Sequence, residues 1–329
     1  MMLLSEEDAR ALVGHENAFA AVLDVFASIA RGEARNLPVV REELGYADAI
    51  FGIKSGFDRI GKVLGFKCGG YWPGNEGKGL TNHQSTTFLF DADSGRPLAA
   101  IAANWLTAIR TAAASALSID LLARSDAQVL GIVGAGFQSR FQLEAAVRRR
   151  KFREVVGWNF HADMLPNLKR TADDLGLPFR AVTPEELCAS SDVIVTITSA
   201  SCAHLQAGWI RPGTHIACMG TDTRGKQELD PEILVGASVF TDEVEQSISI
   251  GEAQHAFAAG RLGRDAICQI GRVIIGEKPG RISDDQVTVF DGTGVALQDL
   301  AVARIALEAA AQGVEGRPII ETSNVEEMK

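Results

Sequence analysis

The stretch Leu130-Gly131-Ile132-Val133-Gly134-Ala135-Gly136-Phe137-Gln138-Ser139 decides the reading of this chain. An apolar run over residues 128–133 enters Gly-x-Gly-x-x-Ser, and a helical pattern over 141–149 comes next. The first glycine permits a tight turn. The second lets a pyrophosphate approach the backbone, and the helix N-terminus offers N–H groups and the positive end of its dipole. A lone Gly-x-Gly is a weak signal. Here a second strand pattern, 154–158, arrives where a dinucleotide-binding βαβ unit requires it. Ser139 stands where a third glycine or alanine is usual. The second strand ends at Asn159, followed by Phe160 and His161, where NAD-specific sites usually carry an acid. Asn159 can still bond a ribose hydroxyl, and no arginine adjoins it to pair with a 2′-phosphate. NAD(H) is therefore favoured, and NADP(H) stays compatible.

Outward from this turn, apolar segments at 128–133, 154–158, 179–182, 192–198, 215–219 and 238–241 alternate with helical stretches. A further strand is expected at 287–290. Such alternation predicts a parallel sheet covered on both faces. Residues 1–30 read as helical by their three- and four-residue apolar spacing, and 36–100 as strands and hairpins broken by Gly, Asn and Pro. Residues 101–124 and 297–312 form alanine-rich helices. The expected fold class is α/β, a Rossmann-type doubly wound parallel sheet plus an α+β substrate and dimerisation domain. The expected domains are 1–122 with 304–329, and 123–303.

The chain of 329 residues carries 42 acids against 32 bases, a formal charge of −10. That balance argues against nucleic-acid or anionic-membrane partners, which need a basic face. The run Arg148–Lys151 reads as a solvated helix C-terminus complementing the dipole. No apolar stretch approaches the roughly 20 residues of a membrane span. The N-terminus turns acidic at once and does not read as a signal peptide. Five scattered cysteines without a C-x-x-C pair suggest buried thiols in a reducing cytoplasm, and the six histidines show no metal-ligand spacing. No metal is expected.

Four charged residues stand in apolar or glycine-rich settings: Arg41, Lys67, Arg110 and Asp222. Each taken singly also suits a solvated side chain. Arg110 is the hardest to read that way, because its helix is apolar all round and a buried guanidinium needs an anionic partner. Asp222 comes directly after an apolar strand, and ligands of open α/β sheets bind at the carboxyl ends of strands. Three cations and one acid suit an anionic substrate with an amine or imine nitrogen: the cations hold carboxylate, the acid exchanges a proton with nitrogen. His83, in Thr81-Asn-His-Gln-Ser-Thr86, is a further candidate, with a turn histidine as its plainer reading.

The chain resembles the ornithine cyclodeaminase/μ-crystallin family over nearly its full length. The resemblance rests on Pro38-Val-Val-Arg41, the Lys67 segment, Phe88-Leu-Phe-Asp-Ala-Asp-Ser-Gly95 and Leu106-Thr-Ala-Ile-Arg110-Thr-Ala-Ala. It rests also on Gly134-Ala-Gly-Phe-Gln-Ser139, Gly220-Thr-Asp-Thr-Arg-Gly-Lys-Gln-Glu-Leu229 and Val289-Phe-Asp-Gly-Thr-Gly-Val-Ala-Leu-Gln-Asp-Leu300. It implies a homodimeric nicotinamide enzyme that reduces imines, oxidises amino acids or cyclises ornithine. It implies that Arg41, Lys67 and Arg110 bind the substrate carboxylate, with Lys67 also catalytic, and that Asp222 serves the nitrogen. It places Arg110, Gly134, Gly136, Phe137, Gln138, Ser139, Asn159, Thr198, Met219, Gly220 and Thr293 at the cofactor, and Gly294 at the substrate. Gly292 departs from the family, which often has a side chain there.

The segments 38–42, 69–73 and 82–86 most resemble members that reduce iminosuccinate to L-aspartate. Asn82, His83 and Gln84 would then hold the second carboxylate of an imino or amino dicarboxylate. A cyclodeaminase acting on a diamine would want an extra acid, for which Glu42, Glu43 and Glu76 are available. An alanine-type dehydrogenase and a non-catalytic nicotinamide binder also stay compatible with these residues.

Overall fold

The computed structural model describes residues 1–313, apart from the side chain of Glu76. The part of the expected first domain at 314–329 lies outside the described residues. The chain opens with β1 (Met2–Leu4), α1 (Glu6–Leu12) and α2 (His15–Ala30). Six strands come next: β2 (Ala34–Asn36), β3 (Val40–Glu43), β4 (Ile50–Asp58), β5 (Val63–Tyr71), β6 (His83–Asp91) and β7 (Pro97–Ala102). Helix α3 (Asn104–Leu122) is buried without interruption from Leu106 to Ile119, as its apolar sequence requires. Then come β8 (Val129–Val133), α4 (Ser139–Val147), β9 (Glu154–Trp158), α5 (Leu165–Asp174), β10 (Phe179–Ala181), α6 (Pro184–Ser190) and β11 (Val193–Thr196). They are followed by β12 (Ser201–Leu205), β13 (His215–Cys218), β14 (Gln227–Leu229), α7 (Pro231–Gly236) and β15 (Ser238–Thr241). The chain closes with α8 (Val244–Ile250), α9 (Gln254–Ala258), β16 (Ile267–Gln269), α10 (Ile270–Ile274), β17 (Thr288–Asp291) and α11 (Ala296–Gln312).

Two compact units divide within α3 and just before α11: Met1–Arg110 with the chain from Val295 on, and Thr111–Gly294. These limits differ from those expected at 122 and 303, because all of α11 packs on β4, β5, β6 and α2.

In the first unit the sheet runs β1-β7-β6-β5-β4-β2, with β3 also paired to β4. All pairs are antiparallel except β1 with β7. The first thirty residues are not one helical stretch. Met2–Leu4 add a strand beside β7, Ser5 caps α1 through the Asp8 amide, and Gly14 restarts the helix as α2. One sheet face is closed by α11, with Leu297 and Leu300 seated over Gly56 and Gly65. A side chain at either glycine would hold the helix away from the sheet.

In the second unit the eight strands run β10-β9-β8-β11-β13-β17-β15-β16, all parallel. The order reverses between β8 and β11. That is the switch point of a doubly wound sheet, and ligands bind outside its carboxyl ends. The buried strands are apolar on both faces, since helices cover both. Strands β12 and β14 form a small separate pair. Strand β16 escaped the sequence reading; three residues are too few to show a period.

Among the described residues no single helix is long and apolar enough to cross a membrane, and no disulfide forms. Cys202 is exposed on β12, against the expectation that the thiols are buried. Arg150, in the basic run after α4, is not simply solvated: it bonds Asp120 and the carbonyls of Ala123 and Arg124.

Candidate active site

The first unit gathers cations on the sheet face that α11 covers. Residues directly opposite in an antiparallel pair share a face. Arg41 on β3 lies opposite Gly52, which lies opposite Gly69 and then Ser85. One pleat along, Lys54 lies opposite Lys67, and Lys67 opposite Thr87. A row of two glycines therefore leaves bare backbone beside a row carrying two lysines. A Cβ at Gly69 would fall 2.1 Å from the Gln84 carbonyl, and one at Gly52 2.6 Å from that of Val40.

Arg110 joins the cluster from α3. Its Nε donates to Asp299 Oδ1 at 2.9 Å and its Nη1 to Gln298 Oε1 at 3.2 Å. Lys67 Nζ donates to the same Asp299 oxygen at 2.9 Å and to Thr107 Oγ1 at 3.3 Å. The buried guanidinium thus has an internal anion, which the sequence reading required but did not locate. Burial above all, then the charges of Arg110 and Lys54, lower Lys67 to about 7 despite the opposing pull of Asp299. Burial alone would raise Asp299, yet Arg110 and Lys67 hold it below the ordinary carboxylate value.

His83 shares the pleat of Lys67, whereas Gln84 falls on the opposite one. Gln84 binds the carbonyl and hydroxyl of Thr81 and accepts from Asn104. Its placement suits bracing of the loop before β6 rather than contact with the cationic row. Glu42 and Glu43 are exposed, and Glu42 sits on the other face from Arg41. The Glu76 side chain lies outside what is described.

The second unit presents the glycine turn at the carboxyl end of β8. Gly134 has φ +114°, and a Cβ there would lie 2.6 Å from the Ile197 carbonyl. Gly136 differs: it is exposed, and a Cβ on it would meet no protein atom within 4 Å. Its bareness serves nothing in the fold and leaves room for a ligand's phosphates. Phe137 is exposed over Phe141, Gln138 precedes α4, and buried Ser139 bonds the Gly136 carbonyl at 2.8 Å. Asn159 accepts from the Ala135 amide at 3.1 Å and donates to the His161 carbonyl. It therefore also fastens the turn, beyond the ribose contact expected of it.

Asp222 lies in the loop after β13, half-buried, with Oδ1 held by Lys226 Nζ at 2.9 Å and Thr223 Oγ1 at 3.1 Å. The loops around it rest on buried carboxylates that the sequence reading passed over. Glu228 accepts from the Thr198 amide and hydroxyl, the Gly220 amide and Thr196. Glu252 accepts from Thr221 and from the Glu228 and Leu229 amides. Asp242 accepts from the Thr293 amide and hydroxyl and the Gly294 amide. Thr198, Gly220, Thr293 and Gly294 are thus fixed by acids beneath them. Burial raises Glu228; burial and the Glu228 charge push Glu252 up to about 8. No motif spacing marks these acids, so only burial could have revealed them. A Cβ on Gly292 would lie 2.7 Å from Met219 Sδ, so the missing side chain is matched by this methionine. No metal-binding cluster occurs among the described residues.

A parallel doubly wound sheet with a glycine turn at its switch point defines a dinucleotide-binding α/β protein. The chain belongs to the ornithine cyclodeaminase/mu-crystallin family, whose family model matches residues 1–314. It is 54% identical over 310 residues to the iminosuccinate reductase of Paracoccus denitrificans, covering 94% of this chain and 97% of that protein. The solved structure of that reductase in complex with NAD+ superposes with a TM-score of 0.91, over 95% of this chain and 97% of the other. A solved archaeal alanine dehydrogenase dimer with bound NAD is 33% identical, with a TM-score of 0.91, covering 98% of this chain and 99% of that one.

Proposed function

We propose that the protein is an NAD(H)-dependent imine reductase that converts iminosuccinate to L-aspartate in the cytoplasm, working as a homodimer. The observation that carries this reading is the cationic cluster of the first unit: Lys67 and Arg110 meet on Asp299, and Arg41 and Lys54 share the sheet face of Lys67. It is supported by 54% identity to an iminosuccinate reductase and by NAD in both solved relatives. A dimer is supported by the archaeal relative and by the sheet face away from α11, where Phe66 stacks on Phe88 at 5.0 Å and on Phe90 at 5.8 Å.

The turn at Gly134 and Gly136, with the N-terminus of α4 behind it, fits the pyrophosphate of a dinucleotide. When bound, the nicotinamide supplies the hydride. Arg110 and Lys67, preset on Asp299, bind the α-carboxylate and orient the C=N bond; such positioning supplies about 7–11 kcal/mol in favourable cases. The Asp222 carboxyl group holds a proton for the imine nitrogen, which keeps its carbon electrophilic. Lys226 fixes that carboxyl group's orientation through Oδ1.

The test monitors reduced-nicotinamide absorbance with oxaloacetate plus ammonia, pyruvate plus ammonia, and ornithine. Stoichiometric NADH oxidation with oxaloacetate plus ammonia is the expected result. Turnover of ornithine to a cyclic product without net NADH change, or nucleotide binding with no turnover of any imine, would each replace this reading.

A further inference from the structure

Two side chains of its own loop hold Asp222 Oδ1: Lys226 Nζ at 2.9 Å and Thr223 Oγ1 at 3.1 Å. Residues Thr223-Arg-Gly-Lys226 form a tight turn, closed by the Lys226 amide on the Thr223 carbonyl at 3.2 Å. Gly225 supplies the positive φ, +85°, that the third residue of such a turn takes in type II geometry. Arg224 and Gly225 are exposed. Loops are the mobile part of a fold unless they are held, so a fixed place for Asp222 requires that this turn be fastened.

The fastening comes from the start of α9. Gln254 is buried, and its side chain bonds three backbone groups of the turn. Its Oε1 accepts from the Gly225 amide at 2.8 Å. Its Nε2 donates to the carbonyls of Thr223 and Lys226, each at 3.3 Å, and to that of Gly251 at 2.9 Å. His255, the next residue, meets the Lys226 carbonyl through Nε2 at 2.9 Å; a carbonyl only accepts, so Nε2 carries the hydrogen. The two residues whose side chains hold Asp222 are thus the two whose carbonyls α9 holds. The start of α9 is itself seated on the parallel sheet. Asp291, at the end of β17, accepts from the amides of Glu252 and Ala253 at 3.0 and 3.1 Å, and a Cβ on Gly251 would fall 2.5 Å from its Oδ2. A chain of contacts therefore runs from the sheet through Gln254 to the turn and ends at the carboxyl group.

Resting on the role proposed for Asp222 in imine reduction, we propose that Gln254 and His255 are positioning residues for that acid: they set the turn from which Lys226 and Thr223 aim its carboxyl group. Their effect then appears in kcat and in the titration of Asp222, not in NADH affinity. The titratable neighbours among the described residues are Lys226 and Arg224 in the loop, Glu228 and Glu252 beneath Gly220 and Thr221, and His255 on α9. All of them are retained in Gln254→Met, so a displaced Asp222 titration in that variant reports geometry.

Gln254→Met keeps the length of the side chain and removes its hydrogen bonds. His255→Phe keeps a ring and removes the donor, whereas His255→Gln restores an N–H group. The full-length proteins are assayed with NADH and oxaloacetate plus ammonia across pH, and NADH affinity and thermal unfolding report the fold of each. Carbon-13 NMR follows the Asp222 carboxyl group, identified as the resonance missing from Asp222→Asn, without need of turnover. Gln254→Met should lower kcat about 10- to 100-fold, the effect of about 1 Å of misplacement, with little change in KM or NADH affinity. The Asp222 titration should move alkaline, because a Lys226 no longer aimed at Oδ1 favours the charged form less. His255→Phe should show the same changes to a smaller degree, and His255→Gln should keep most of the wild-type kcat. Combined with Lys226→Met, Gln254→Met should cost less than the product of the two separate losses, since both act through one carboxyl group. Wild-type kcat in Gln254→Met, a loss of kcat with the Asp222 titration unmoved, or losses that multiply fully with Lys226→Met overturns the proposal. If Gln254→Met fails to fold, the His255 variants decide: impairment of the Phe variant alone sustains the proposal, and equal behaviour of the two overturns it. Should the wild type reduce no imine while the titration still moves in Gln254→Met, the positioning assignment stands and the reductase reading fails.

Discussion

Lys67 Nζ and Arg110 Nε converge on one oxygen, Asp299 Oδ1, each at 2.9 Å, although they lie on β5 and α3 and the acid on α11. The acid does two things: it makes burial of two cations tolerable, and it aims them. Removing one partner of a buried ion pair typically costs about 3–5 kcal/mol. Asp299→Asn keeps the shape and loses the charge. It should unfold at lower temperature, yet gain more thermal stability from added succinate than wild type does, because the ligand then supplies the missing anion. Differential scanning with and without succinate checks both halves. Equal stabilisation of the two proteins would show that the ligand does not meet these cations.

The two glycines of the turn should separate fold from binding. Gly134→Ala must fail in both, since φ +114° and the Ile197 carbonyl at 2.6 Å leave no place for a methyl group. Gly136→Ala meets no protein atom within 4 Å, so its stability should stay within about 0.5 kcal/mol of wild type, the ordinary range for surface changes. NADH affinity should nonetheless fall at least about tenfold, by roughly the 1.4 kcal/mol that such a loss represents. Fluorescence titration with NADH checks it. Unaltered affinity in a stable Gly136→Ala protein would move the pyrophosphate away from this turn.

The parallel sheet was legible because buried strands announce themselves as short apolar runs, and because the glycine turn marks one of them as the strand that leads into a phosphate-binding helix. Strands β9 and β15 match the sequence reading residue for residue. Arg110 was legible as a cation misplaced in an apolar helix. Its partner was not: Asp299 lies 189 residues away, on a helix that no local pattern ties to α3. Lys54 was hidden for a related reason. In Ile50-Phe-Gly-Ile-Lys54-Ser-Gly-Phe-Asp58 it reads as one polar residue in an alternating strand, and only pairing with β5 sets it beside Lys67. Glu228 and Glu252 are ordinary acids in sequence; what distinguishes them is complete burial and the amides they accept, which are tertiary facts. Gln84 illustrates the converse, since a change of one residue along a strand moves a side chain to the opposite face.

Asp222→Asn should leave NADH affinity within about twofold of wild type and lower kcat on the order of 100- to 10,000-fold, the usual contribution of a general acid. Lys226→Met leaves the carboxyl group in place but removes the cation 2.9 Å from its Oδ1. It should give a smaller loss together with an alkaline displacement of the carboxyl group's titration in the kcat profile, because the ion pair favours the charged form. Steady-state kinetics across pH checks both variants. Undiminished turnover in Asp222→Asn would reduce the Asp222–Lys226 pair to a loop tether.

The buried acids of the second unit make stability depend on pH in a definite direction. Glu252 rises from 4.5 to about 8 and Asp291 from 3.8 to about 7, both chiefly through burial. A group whose folded pKa exceeds its unfolded value holds more protons in the folded state, so its contribution is complete below the unfolded value and is lost as pH climbs through the folded one. Unfolding free energy should therefore fall between about pH 5 and 7, with each group contributing at most about 1.4 kcal/mol per pH unit. Lys67, lowered from 10.5 to about 7, acts in the opposite sense above that window. Buried His215, lowered from 6.5 to about 3, acts in the opposite sense up to about pH 6.5, so the net fall is smaller than the two acids alone would give. Glu252→Gln retains acceptors for the Glu228 and Leu229 amides while removing the titration. Urea unfolding across this range should give a shallower slope for the variant and a relative gain in stability toward pH 7. A slope equal to that of wild type would mean that Glu252 stays ionised in the folded protein and that its hydrogen bonds outweigh its burial.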